Sequence, residues 1–159
     1  MAQITISFEN EQIATLLNQL EQAGRNLEPV MKNIGEILLN SSRQRFQTST
    51  APSGEKWEVN SPVTLANKRD NRPLIGETKS LSTQIHYDAN SDHVIVGSLM
   101  EYAGTQQFGA SKGQYGTTKY GVSVPWGNIP ARPFLGISTD DENDIIALLS
   151  DYLEQAAEF

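Results

Sequence analysis

Few side chains in this sequence have the type and spacing that chemistry requires. His86 and His93 lie seven apart around a predicted turn, where a favourable register would face them across a hairpin. Two imidazoles are not a metal centre, which needs further ligands in defined geometry; exposed strand positions account for both. Asp140, Asp141, Glu142 and Asp144 crowd together without the glycine turn and ligand spacing of a calcium loop. Acids at the start of a helix, favoured by its dipole, explain them better. Gly109-Ala110-Ser111-Lys112-Gly113 has lysine and glycine in the wrong order for a phosphate cradle, and no Gly-x-Ser-x-Gly elbow occurs. Asn40-Ser41-Ser42 fits a glycosylation sequon but falls inside a predicted helix. The absence of cysteine excludes disulfides, iron–sulfur clusters, zinc sites with cysteine ligands and a thiol nucleophile. We expect no catalytic residue, no cofactor and no metal. A bound metal or a deep pocket ringed by titratable groups would reopen the enzyme reading.

With 159 residues, 38% of them hydrophobic, the chain suits one domain over 1–159. That length buries enough surface to fold without covalent staples. No apolar run approaches a membrane span, and Met1-Ala2-Gln3-Ile4-Thr5 lacks the features of a secretion signal. A soluble protein made in the cytoplasm is the expectation. The net charge of −7 is concentrated: residues 139–159 hold seven acids and no lysine or arginine. Segment 43–79 has seven bases against four acids, and 102–138 has Lys112, Lys119 and Arg132 with no acid. Overall acidity argues against general nucleic-acid binding.

The elements that must position these residues follow from periodicity. Ile4, Ile6 and Phe8 alternate as in a half-buried strand. Asn10 caps a predicted helix carrying Ile13, Leu16, Leu17 and Leu20, with Gly24 as its stop. Asn26 caps a second, with Pro29 in its first turn and Val30, Ile34, Ile37, Leu38 and Phe46 as its apolar positions. Lys32, Glu36, Arg43 and Arg45 are expected mostly outside that stripe. Residues 48–75 are rich in Pro, Gly, Ser, Thr and Asn, so 49–72 reads as a mobile loop. Alternation over 81–87 and 93–96 predicts a hairpin across 81–98, followed by a short helix over 101–108. A second mobile loop is expected at 109–121, then short strands at 122–126 and 134–137. Thr139 and Glu142 form a predicted capping box for a terminal helix with Ile145, Leu148, Leu149, Tyr152 and Leu153 on one face. Strands and helices do not alternate, which favours α+β: a small antiparallel sheet with two N-terminal helices and one C-terminal helix packed on it.

The distinctive strings lie in loops. They are Pro52-Ser53-Gly54-Glu55-Lys56-Trp57, Val96-Gly97-Ser98, Tyr102-Ala103, Gln107-Phe108-Gly109 and Ala131-Arg132-Pro133-Phe134-Leu135-Gly136, with Thr64, Lys68, Leu74 and Leu81 between them. In this order they resemble the phage virion morphogenesis family, tail-completion proteins of contractile-tailed, Mu-like phages and prophages. The resemblance covers roughly 27–155. Two positions depart from it: Thr78-Lys79-Ser80-Leu81 stands where relatives often have Thr-Gly-x-Leu, and Gln106 where many have histidine.

The resemblance implies a structural role in the virion, closing the tail or joining it to the head by docking to tail or neck proteins, with no catalysis. Contacts between a basic and an acidic face of neighbouring copies can close into a ring. Docking candidates are Trp57, Lys68, Arg69, Tyr102, Phe108, Arg132, Asp151 and Glu154. A less favoured alternative is a neck protein that also touches DNA through Lys68, Arg69 and Arg72 beside Trp57. On this reading Phe134→Ala opens a core cavity, whereas Arg132→Ala leaves folding nearly intact and impairs assembly. Neutralising Asp151, Glu154 and Glu158 likewise spares folding and weakens particle completion.

Overall fold

The computed structural model describes residues 9–158, so the strand expected over Ile4–Phe8 lies outside the described residues. Within them are six helices and one two-stranded antiparallel sheet, an α+β arrangement. Helix α1 (Glu11–Gln22) starts where Asn10 Oδ1 accepts the Ile13 amide, 3.0 Å away, and stops before Gly24 at φ +74°. Helix α2 (Glu28–Thr48) takes Pro29 in its first turn, where a missing amide costs nothing. Asn26 Oδ1 accepts the Glu28 amide just ahead of it.

Helix α2 is the spine of the molecule because it serves two cores. Its N-terminal half puts Val30, Met31 and Ile34 against Leu20 of α1 and against Ile145 and Leu149 of α6 (Thr139–Ala157). Its C-terminal half puts Leu39 and Phe46 into a second cluster with Trp57, Ile75, Leu81, Ile85, Ala103, Phe134 and Leu135. Helix α6 packs on α1 and α2, and the hairpin packs on α2. Gly35 permits that last approach: any Cβ there would overlap the Tyr87 ring.

The hairpin is shorter than the alternation suggested. Ser80–Thr83 form a helical turn, α4, and the strands are β1 (Ile85–Ala89) and β2 (Val94–Ser98). Lys79 sits just ahead at φ +54°, a left-handed conformation that ends the possibility of a continuous strand. The register pairs Ile85 with Ser98 and His86 with Gly97. His93 stays in the turn, its carbonyl accepting the Asn90 amide, so the two histidines do not face each other.

The loop regions contain more structure than their composition announced. Segment 49–72 holds α3 (Pro62–Asn67), capped by Ser61, and a bridge between Thr50 and Lys56. The short helix before the second loop is α5 (Ala103–Phe108). No sheet strand forms at 122–126 or 134–137. Val122–Val124 instead fold back on 116–118 through local backbone bonds, and Phe134–Leu135 bond to a side chain. The α6 capping box is displaced by one residue from Thr139 and Glu142: Ser138 Oγ accepts the Asp141 amide while Asp141 accepts that of Ser138.

Candidate functional site

The residues that make the sequence distinctive converge on one buried knot. Gln107, only 4% exposed, grips the extended segment after Pro133 with its whole amide: Oε1 accepts from the Phe134 and Leu135 amides at 3.0 Å. Its Nε2 donates to the Leu135 carbonyl at 2.9 Å. Two backbone amides and a carbonyl that no strand satisfies are thereby paired, which a buried polar backbone requires. Gly109 fits the same junction, because a Cβ there would meet the backbone of Ile129 and Ala131 at 2.7–2.8 Å.

Trp57 and Arg132 belong to this knot and are buried in it, contrary to the open surface position expected of them. Trp57 is 5% exposed, stacks edge-on to Phe46 at 5.5 Å and donates its indole N–H to the Pro133 carbonyl at 2.8 Å. Arg132 is 8% exposed and donates from Nε to the Glu58 carbonyl and from Nη2 to that of Val59. No period marks Arg132 as buried, because its partners are backbone carbonyls 74 and 73 residues away in sequence.

Arg45 is a second correction. The helical period carries it onto the apolar row with Ser42, not outside the stripe. Its guanidinium donates to the carbonyls of Phe134 and Gly136, to Ser41 Oγ, and to Asp141 Oδ2 at 2.7 Å. Burial pulls the Arg45 pKa below its usual value, and the Asp141 carboxylate opposes that shift. The pair is nearly sealed from water and joins the C-terminal half of α2, the 134–136 segment and the start of α6.

What remains for partners is the surface around this frame. Residues 110–129 form an arm whose base is closed by paired backbone bonds between Ala110 and Ile129. Further out, Gly113 bonds Pro125, Tyr115 bonds Val124, Val124 bonds Gly116, and Thr118 bonds Val122. The arm exposes Tyr115, Tyr120, Val122 and Trp126, with Tyr120 81% and Trp126 73% accessible. Phe108 is exposed beside its base. Large apolar side chains gathered on one projection mark an interaction surface more often than chance.

The other conspicuous face is on α6. Asp140, Asp144, Asp151, Glu154 and Glu158, with Ala147 between, recur at alternating steps of four and three residues, and all are exposed. That spacing draws one acidic stripe along the side opposite Ile145 and Leu149. Periodicity could have shown this stripe from the sequence, as it could have shown Arg45. Gln107 had no such signal.

Lys68, Arg69 and Tyr102 lie elsewhere. Lys68 is half-buried, with Nζ donating to the Arg72 carbonyl at 2.9 Å; Arg69 and Tyr102 are exposed. Arg72 grips Asp70 with several bonds and donates to Gln47. That grip, both charge and backbone, holds the Asp70 carboxyl far below the usual carboxylate range. Among the described residues, no three His, Asp or Glu side chains converge as metal ligands, and no helix is long and apolar enough to cross a membrane.

A rigid internal frame, with a projecting apolar arm and an acidic helix face, defines a protein built to be held by other proteins. The chain belongs to the phage virion morphogenesis family, whose model matches residues 8–154. It is similar to Mu-like prophage FluMu G protein 2 of Haemophilus influenzae, 31% identical over 95% of this chain and 96% of the relative. It is also similar to the putative capsid assembly protein G of Escherichia phage Mu, 25% identical over 89% and 88% of the two chains. No solved structure gives a significant match.

Proposed function

We propose that the protein is a structural component of a phage or prophage particle, made in the host cytoplasm and built into the virion. On this reading it completes the tail or joins tail to head by docking to tail or neck proteins, without catalysis, and associates with copies of itself in a ring. One observation carries the reading: the arm over 110–129 is closed at its base by backbone pairing yet presents Tyr120, Val122 and Trp126 to solvent. Such a projection contributes little to the fold and much to a contact. Family membership supports assembly in general, as does the likeness to the putative capsid assembly protein of phage Mu.

The DNA reading has less behind it. Of the three cations that motivated it, Arg72 is held by Asp70 and Lys68 is tied to a backbone carbonyl, leaving Arg69 as the one that bonds to nothing among the described residues. Electron microscopy of particles from a lysate lacking the gene tests the main proposal. Tails and heads that accumulate unjoined or unfinished are the expected result, and fully normal particles would overturn it.

A further inference from the structure

The two basic segments of the sequence meet at a pocket of about 340 Å³ between 60–81 and 102–132. Lys68 and Arg132 line it together with Thr78, Ser80, Tyr102 and Gln106, and no carboxylate does. Arg132 spends Nε and Nη2 on carbonyls, while Nη1 makes no hydrogen bond and is not sealed from solvent. Lys68 has one bond from Nζ, to Arg72, and two N–H groups beyond it. Asp70 and Glu58 are the neighbouring acids, both outside the lining: Asp70 is bonded to Arg72 and also acts on Lys68, and Glu58 acts on Arg132. Burial lowers the pKa of both cations, and for Lys68 the nearby Arg132 charge adds to the effect. Two partly desolvated cations beside hydroxyls, with no anion among the lining groups, make a receptor for a carboxylate.

The same chain offers carboxylates in the complementary state. Asp151, Glu154 and Glu158 form the C-terminal half of the α6 stripe, where the helix dipole is itself negative and the last turn has no basic residue. None of the three forms a salt bridge among the described residues. They cannot reach their own pocket through packing, since α6 lies against α1 and α2 while the pocket is built from the opposite group of loops.

We propose that the Lys68–Arg132 pocket receives the carboxylates of Asp151 and Glu154 from a second copy of this chain. Donor and receptor are different patches, so the contact is heterologous and each copy keeps one of each free for the next. This rests on the self-association in the proposed function and names its contact. Half-buried charge pairs of this kind add specificity and orientation more than raw affinity.

The test is sedimentation of the full-length chain at low and high salt, with charge reversals. Wild type is expected to self-associate with concentration at low salt and to dissociate as salt rises. Lys68→Glu, and separately the Asp151→Lys, Glu154→Lys pair, should each weaken association about tenfold or more. All three changes together should restore most of it. The α6 changes sit on an exposed helix face, so they keep the test decisive even if Lys68→Glu misfolds; Lys68→Met then replaces it on the receptor side. Failure of wild type to associate, unchanged association in the single reversals, or no recovery in the combination would each overturn the pocket contact. So would duplex DNA binding that Lys68→Met abolishes while association stays intact. Normal particle completion by reversal variants that no longer associate would instead sink the ring while leaving assembly by docking in place.

Discussion

At the residue scale, the most informative side chain is Gln107, because it does with one amide what a neighbouring strand would do with several. Replacing it with leucine leaves two amides and a carbonyl without partners in a dry site. We expect Gln107→Leu to cost ~3 kcal/mol, and Gln107→Glu to cost less only at acid pH, where a protonated carboxyl can still accept from both amides and donate to the Leu135 carbonyl; the buried carboxylate would set an anionic oxygen against that carbonyl. Paired chemical melts of the two variants check the order. Phe134→Ala should cost ~3–5 kcal/mol through the cavity it opens against Phe46. Arg132→Ala should now cost ~2 kcal/mol as well, through lost bonds to Glu58 and Val59. An Arg132→Ala protein as stable as wild type would show that those bonds add nothing to the fold. Lys79 tells the opposite story. It holds φ +54°, a left-handed conformation that glycine adopts without steric cost, so Lys79→Gly should stabilise the fold by ~0.5–1 kcal/mol in the same melts.

At the scale of elements, what was legible in the sequence was whatever repeats locally. Asn10, Gly24 and the apolar spacing of α1 marked that helix because caps and helical period are short-range properties. Leu81 and Thr83 misled for the same reason: four residues of alternation fit a helical turn as well as a strand, and left-handed Lys79 decided between them. Trp57 and Arg132 were legible as unusual but not as buried, because their partners are backbone carbonyls 73–76 positions away. No local pattern encodes such a pairing. The arm was half-legible. Its glycines and tyrosines announced a loop, but not the backbone rungs that organise it. Trp126→Ser combined with Tyr120→Ser should shift stability by no more than ~0.5 kcal/mol, as exposed positions do. The same double variant should fail to complement particle assembly, and normal titres from it would remove the arm from the docking surface.

At the scale of the whole molecule, two apolar clusters share one helix and one buried ion pair. Asp141→Ala strands the Arg45 guanidinium among carbonyls and removes the α6 cap, so a loss of ~3–5 kcal/mol is expected. Because α2 runs through both clusters, that loss should appear as a single shifted transition by fluorescence of Trp57 and by helical circular dichroism alike. Two separated transitions would show that the clusters unfold independently. The knot of Gln107, Trp57 and Phe134 explains why such distinctive strings stand in loop positions of this chain: these residues hold the frame together.

The closed base of the arm bears on how such a protein can diversify. Ala110 and Ile129 bond each other on both sides, and Gly109 is wedged against 129–131, so the arm is closed off at a collar, with a further bond between the Tyr115 hydroxyl and Thr105 on α5. The exposed side chains of Tyr120, Val122 and Trp126 can therefore change without disturbing the buried frame. If the proposed contact runs through the arm, its specificity is set by side chains on which folding places almost no demand.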